Sequence, residues 1–241
     1  MVSSQELEWA VYIYYYIGGD GDKHGYIDTI INLQKLGLYN DLTNAWNKNA
    51  KNICDIIITF LNKWKTRTKK TTSKNLQEAI FPILENLSKL QKQKLESTNI
   101  NSEMADNIKE IFDSINKVKN IGPTGTAKIL GLLCPNMFVQ WDKEIIKHFL
   151  DTNKIDGYAY LSFIDRMQKE TKEILSQNTS IPKNLSDNLV KLYEQQYGDQ
   201  SYQTIFMKTQ GKSLAKYLDE YNWITITKGI KLPPKWYPSV D

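Results

Sequence analysis

Along most of this chain apolar residues recur at spacings of three and four, the pattern of helices that bury one face and wet the other. Trp9, Tyr12, Ile13 and Tyr16 form the first such stripe, opened by Ser3 or Ser4 with Glu6 as a capping pair and closed at Ile17 by the glycine-rich run Gly18 to Gly25. A second helix is expected from Tyr26 to Leu36. A third runs from Asp41 to Trp64, with Trp46, Ala50, Ile53, Cys54, Ile57, Leu61 and Trp64 along one side. Ile56, Ile57 and Ile58 are β-branched neighbours, but their flanks keep the helical period. Leu76 to Leu95 reads as one helix bent at Pro82, followed by a Ser, Thr and Asn loop to Ser102. Ile108, Ile111, Phe112, Ile115 and Val118 make the next stripe; a tight turn follows, and then Ala127, Ile129, Leu130, Leu132 and Leu133. Helices are expected beyond it over Lys143 to Leu150, Tyr158 to Leu175, Leu185 to Tyr197 and Lys212 to Tyr221. Only Trp223 to Thr227 alternates with the period of a strand, and it has nothing obvious to pair with. The pattern predicts an all-α fold of roughly ten helices, with no βαβ unit and no nucleotide fingerprint.

Composition narrows the class without naming a function. The chain has 241 residues, enough for one large domain or two small ones with a proper core. No apolar run approaches the ~20 residues of a membrane span, and the N-terminus lacks the basic flank and cleavage site of a signal peptide. The expectation is a monomeric cytoplasmic protein. The two cysteines, Cys54 and Cys134, are too few for a disulfide framework, a structural zinc or a four-cysteine iron–sulfur cluster, and read as buried thiols. His24 and His148 are the whole histidine inventory, so no multi-histidine metal site can be built. Asp20-Gly21-Asp22 looks like the start of a calcium loop, but the position that needs Glu holds Ile31. The net charge of +4 permits nucleic acid without demanding it. Lys63, Lys65, Arg67, Lys69, Lys70 and Lys74 cluster between two helices, as a solvated linker or as an arm that touches a DNA strand. The tail, Leu232 to Pro238 with Trp236 and Tyr237, reads as an extended segment packed back on the body, its aromatics otherwise available as a stacking wedge.

The candidate chemistry sits around Val118-Lys119-Asn120-Ile121-Gly122-Pro123-Thr124-Gly125-Thr126-Ala127-Lys128 and, after a short helix, Trp141-Asp142-Lys143. Asn120 and Gly122 can take the left-handed conformation that closes a helix–turn–helix, and a helix opening at Gly122 offers N–H groups to a phosphate. Asp142 stands where a helix begins, so backbone N–H groups hold its carboxylate oriented.

These residues, from about 105 to 150, resemble the helix-hairpin-helix DNA glycosylase superfamily of the endonuclease-three and 8-oxoguanine type, whose hairpin is followed by a short helix, an apolar residue and a catalytic Asp. The resemblance implies two helical subdomains with the cleft between them: residues 68 to 150 as a central domain ending in the hairpin, and 1 to 67 plus 151 to 241 as the second. It implies duplex DNA as partner, in a nucleoid-associated protein, and Asp142 as the catalytic residue. Asn120, Gly122, Thr124, Gly125, Thr126 and Lys128 fall on the phosphate-binding hairpin, with Trp141, Lys143 and Lys147 as secondary pocket or strand contacts. A monovalent cation held by hairpin carbonyls is a further implication; no other cofactor is. Two departures stand out: Asn120 replaces the family's first hairpin Gly, and Thr124 stands where bifunctional members carry a Schiff-base lysine. The implied activity is therefore hydrolysis of the N-glycosidic bond of a damaged base without strand cleavage; the alternative is a duplex-gripping module with no catalysis.

Overall fold

The structure is a computed structural model that describes residues 2–17, 25–64, 73–150 and 154–232. His24, most of the basic stretch, and Trp236 and Tyr237 lie outside the described residues. Among those described, twelve α-helices account for nearly all the regular structure and there is no β-strand. The all-α expectation holds.

Helix α1 (Ser4–Ile17) starts as a capping box: the Glu6 carboxylate accepts from the Ser3 N–H at 2.8 Å, and Ser3 Oγ accepts from the Glu6 N–H at 3.2 Å. Helix α2 (Tyr26–Lys35) follows, then α3 (Leu42–Lys63), capped by Asp41 and kinked at Asn49. The stretch expected as one bent helix is two, α4 (Ser73–Ile80) and α5 (Leu84–Gln91), joined by a 3-10 turn at Phe81–Ile83. Pro82 cannot donate to the α ladder, so the ladder tightens there and restarts. Helix α6 (Ser102–Asn116), a five-residue turn, α7 (Gly122–Leu133) and α8 (Lys143–Phe149) carry the stretch of interest. Helices α9 (Gly157–Gln177), α10 (Ile181–Tyr197), α11 (Tyr202–Thr209) and α12 (Leu214–Asn222) complete the set, α11 being absent from the sequence pattern.

Packing gathers these elements around one main hydrophobic cluster. Helices α3 to α7 pack on one another, α9 crosses α6, and α12 lies against both α1 and α9. The α6–α9 crossing depends on Gly157, where a Cβ would stand 2.4 Å from the Lys109 carbonyl oxygen. Cys54 and Cys134 are buried free thiols in that cluster, and burial pushes the Cys54 thiol up to about 12. A smaller cluster of Trp9, Ala10, Ile13, Tyr14 and Ile224 lies between α1 and the segment after α12.

That segment corrects an expectation. Trp223–Thr227 is a turn of π-helix continuing from α12, not a strand. Its alternating β-branched residues have no neighbouring strand to satisfy their backbone, so the groups pair along the helix instead. Among the described residues no helix is long and apolar enough to cross a membrane.

Candidate active site

Helix α6 ends in a turn built on two left-handed residues, Asn120 at φ 70° and Gly122 at φ 64°. The Ile121 N–H donates back to Val118 O at 3.1 Å, and Thr126 Oγ1 donates to Gly122 O at 2.9 Å, tying the turn to the first coil of α7. Lys117, Lys119 and Asn120 are exposed, and Gly122, Pro123 and Thr124 half-buried. A Cβ at Gly122 would meet nothing within 4 Å, so the glycine is required by its backbone conformation rather than by crowding.

Beyond Thr124, helix α7 is buried on every side from Gly125 to Leu133. Gly125 packs on Ile121, Thr126 is inaccessible, and Lys128 is only 6% exposed. A helix apolar all round has no wet face on which a lysine could emerge.

Lys128 instead enters a pocket. Its Nζ lies 3.5 Å from the centre of the Trp64 ring at the end of α3 and makes no hydrogen bond among the described residues. Burial lowers its pKa to about 8; Asp219 and Asp142 pull it up and Lys216 presses it down, so the ammonium feels both carboxylates of the pocket. At that value the amine is partly neutral just above physiological pH.

After α7 the chain turns at Cys134 and runs extended to Asp142. Tyr160 OH donates to Val139 O at 3.0 Å, and Trp141 Nε1 donates to Pro123 O at 3.1 Å, pinning this strap to α9 and to the start of α7. Trp141 is buried among Phe112, Tyr160 and Phe163, edge-on to Tyr160 at 4.8 Å, so it is a core anchor whose rim also lines the pocket. Asp142 is the N-cap of α8: Oδ1 accepts from the N–H groups of Glu144 at 2.9 Å and Ile145 at 3.0 Å, while Oδ2 accepts from Thr227 Oγ1 at 2.7 Å. The carboxylate is held by three donors, one of them 85 residues away in the π-helical turn. Lys143 and Lys147 are exposed on α8, with Lys147 paired to Glu144 at 3.3 Å.

The opposite wall comes from α1 and α12, which sequence reasoning had not connected to Asp142. Tyr14 meets Trp223 edge-on at 5.3 Å. Asp219 lines the pocket and bonds the Lys216 ammonium, which lies 4.6 Å from the Tyr26 ring. Burial would pull Lys216 down, but Asp219, Tyr14 and Glu220 more than reverse it and hold the ammonium well above the ordinary lysine value. Behind it Lys212 pairs with fully buried Glu220 at 2.6 Å. The space enclosed by Tyr14, Trp64, Trp141, Trp223 and these charges is on the scale of a single water molecule.

Chemically, the pocket presents an oriented carboxylate, an amine with a lowered pKa and a second carboxylate, inside aromatic walls. The turn's carbonyls at Val118, Gly122 and Pro123 each accept a hydrogen bond from within the protein. Among the described residues no group of three or more His, Cys, Asp or Glu side chains is placed to hold a metal. No family model matches the chain, and no curated protein or solved structure matches it.

Proposed function

We propose that the protein is a DNA N-glycosylase that takes a damaged base out of the duplex and cleaves its N-glycosidic bond. One observation carries this reading: Asp142, oriented by three donors, shares an aromatic pocket with buried Lys128 just behind the tight turn from α6 to α7. The resemblance of residues 105 to 150 to helix-hairpin-helix DNA glycosylases points the same way. In this reading the turn from Lys117 to Gly122, exposed at Lys117, Lys119 and Asn120, grips backbone phosphate while the target nucleotide swings out of the stack. As the bond from C1′ to the base nitrogen lengthens, its electron pair leaves with the base and positive charge grows on the sugar. The Asp142 carboxylate stabilises that charge and accepts the proton of the water that attacks C1′. An intact abasic site is left.

The test is base release from duplexes carrying uracil, hypoxanthine, xanthine, 8-oxoguanine or alkylated purines, by the parent and by Asp142→Asn. Asn is as good a helix cap as Asp, so the variant folds and keeps duplex binding. Its base release falls by a factor on the order of 10²–10⁴. A full rate in the variant removes Asp142 from the chemistry. Duplex affinity with no base release from any substrate would instead favour the non-catalytic DNA-binding module.

A second reading is favoured by the state of Lys128. A buried amine with no hydrogen-bond partner and a pKa lowered to about 8 is suited to attack C1′ itself. The amine nitrogen would form the bond to C1′ as the base leaves with its electron pair, and loss of a proton and opening of the sugar ring would give an imine. Lys128, one helical turn beyond Thr124, would then supply what Thr124 cannot. Borohydride reduction of the imine separates the two readings, because only the lysine route leaves a covalent protein–DNA adduct.

A further inference from the structure

An ionised carboxylate accepts along two directions at each oxygen. On Asp142, Oδ1 has both filled, by the N–H groups of Glu144 and Ile145, whereas Oδ2 has one filled, by the Thr227 hydroxyl. The second direction on Oδ2 takes no hydrogen bond among the described residues, on a side chain that lines the pocket. The bonds also differ in what they fix. Both N–H groups converge on Oδ1 and pin that atom to the start of α8, but the carboxylate plane can still swing about it. The Thr227 bond, at 2.7 Å, sets where Oδ2 stands.

This hydroxyl is diverted from its ordinary use. A threonine inside a helix commonly donates to the carbonyl four residues back, and Thr29, Thr59, Thr126, Thr209 and Thr225 all do so here. The corresponding acceptor for Thr227 is Trp223 O, which takes the Lys228 N–H at 2.9 Å in the widened turn. Thr227 gives its proton to Asp142 instead. The cap alone does not call for it. Asp156 caps α9 with the same pair of bonds, its Oδ1 accepting from Tyr158 and Ala159, and its Oδ2 meets only the exposed Lys154 ammonium, at 2.8 Å.

We propose that Thr227 is a positioning residue for base removal: its hydroxyl holds Asp142 Oδ2 so that the open side of that oxygen, and not Oδ1, takes the proton of the water that attacks C1′. This rests on the glycosylase reading with water as the attacking group.

The test measures single-turnover base release from a duplex whose base the parent removes, alongside affinity for a tetrahydrofuran abasic duplex. Thr227→Val keeps the side chain's shape without the hydroxyl, Thr227→Ala is a second variant that lacks it, and Thr227→Ser keeps the donor. Losing a hydrogen bond to a charged group slows release by a factor on the order of 10–100 in the Val and Ala variants. Their affinity for the abasic duplex stays that of the parent, and the Ser variant recovers most of the rate. In the Asp142→Asn background Thr227→Val costs no further rate, because the carboxylate it serves is gone. A Ser variant as slow as the Val variant overturns the inference, as does a loss of affinity equal to the loss of rate, or an equal further loss in the Asp142→Asn background. If the parent releases no base from uracil, hypoxanthine, xanthine, 8-oxoguanine or alkylated-purine duplexes, the glycosylase reading itself falls and this inference with it; if it releases base and the Val and Ala variants match it, only this inference does.

Discussion

Replacing Lys128 by Met should stabilise the protein at neutral pH, and the size of the effect can be worked from the pocket. Each pH unit by which a pKa is displaced corresponds to about 1.4 kcal/mol. A fall from 10.5 to about 8 thus places on the order of 3 kcal/mol of unfavourable charge burial on the folded state while the amine is protonated. Methionine fills a similar shape without the charge, and gives up the contact of the ammonium with the Trp64 ring, worth about 0.5–2 kcal/mol. The net expectation is a gain of about 1–3 kcal/mol near pH 7. The sign with pH follows from proton counting. Between about pH 8 and pH 10.5 the unfolded chain binds a proton at Lys128 that the folded chain has released, so the parent's stability rises with pH across that window relative to the variant.

Urea unfolding of parent and Lys128→Met over a series of pH values measures this directly. Only the difference between the two proteins is read, because tyrosines such as buried Tyr217 and half-buried Tyr221, whose pKa values burial raises, titrate in both and cancel. The variant's advantage should shrink by on the order of 3 kcal/mol between about pH 7 and pH 10.5. A constant offset over that range would mean that solvent reaches Lys128 and its proton affinity is ordinary, and the chemical role given to it in the second reading would go with it.

Two further outcomes follow. Borohydride trapping on a lesion duplex should give a covalent adduct whose yield climbs through about pH 8 as the Lys128 amine loses its proton, and Lys128→Gln should abolish it; no adduct at any pH leaves water beside Asp142 as the attacking group. Gly122→Val should weaken lesion-bearing and plain duplex about equally, because a β-branched residue cannot hold φ 64° without a strain of about 1–2 kcal/mol and the turn proposed to meet phosphate reshapes; unchanged binding would confine the turn to a structural role.

What could be read from sequence was what local physics decides. The α6–turn–α7 stretch was legible because Asn120 and Gly122 are the residue types that accept positive φ between two apolar helical runs. Asp142 was legible as a cap because a cap concerns only the next three residues. The burial of Lys128 was not foreseen, for want of a tertiary view, yet a signal was present. Its helical neighbours at three and four positions are Thr124, Gly125, Gly131 and Leu132, none of them charged, so α7 offered no polar stripe on which a lysine would be solvated. Nothing in sequence tied Trp64, Asp219 or Tyr14 to Asp142, since those contacts join segments far apart along the chain.

The π-helical turn shows why the alternation at Trp223 to Thr227 misled. Taken alone, Trp-Ile-Thr-Ile-Thr favours a strand. In the fold it continues α12, Ile224 is fully buried beside Trp9 and Ile13, and Thr225 Oγ1 donates to Tyr221 O at 2.8 Å, so the backbone is satisfied along the helix. The widened turn brings Thr227 Oγ1 to 2.7 Å from Asp142 Oδ2 and puts Trp223 in the pocket wall. Such turns are rare and concentrate where a helix must aim a side chain at a site. Local propensity lost here to a long-range requirement: the second oxygen of Asp142 takes its hydrogen bond from this turn, and an α-helical or extended path would carry Thr227 elsewhere.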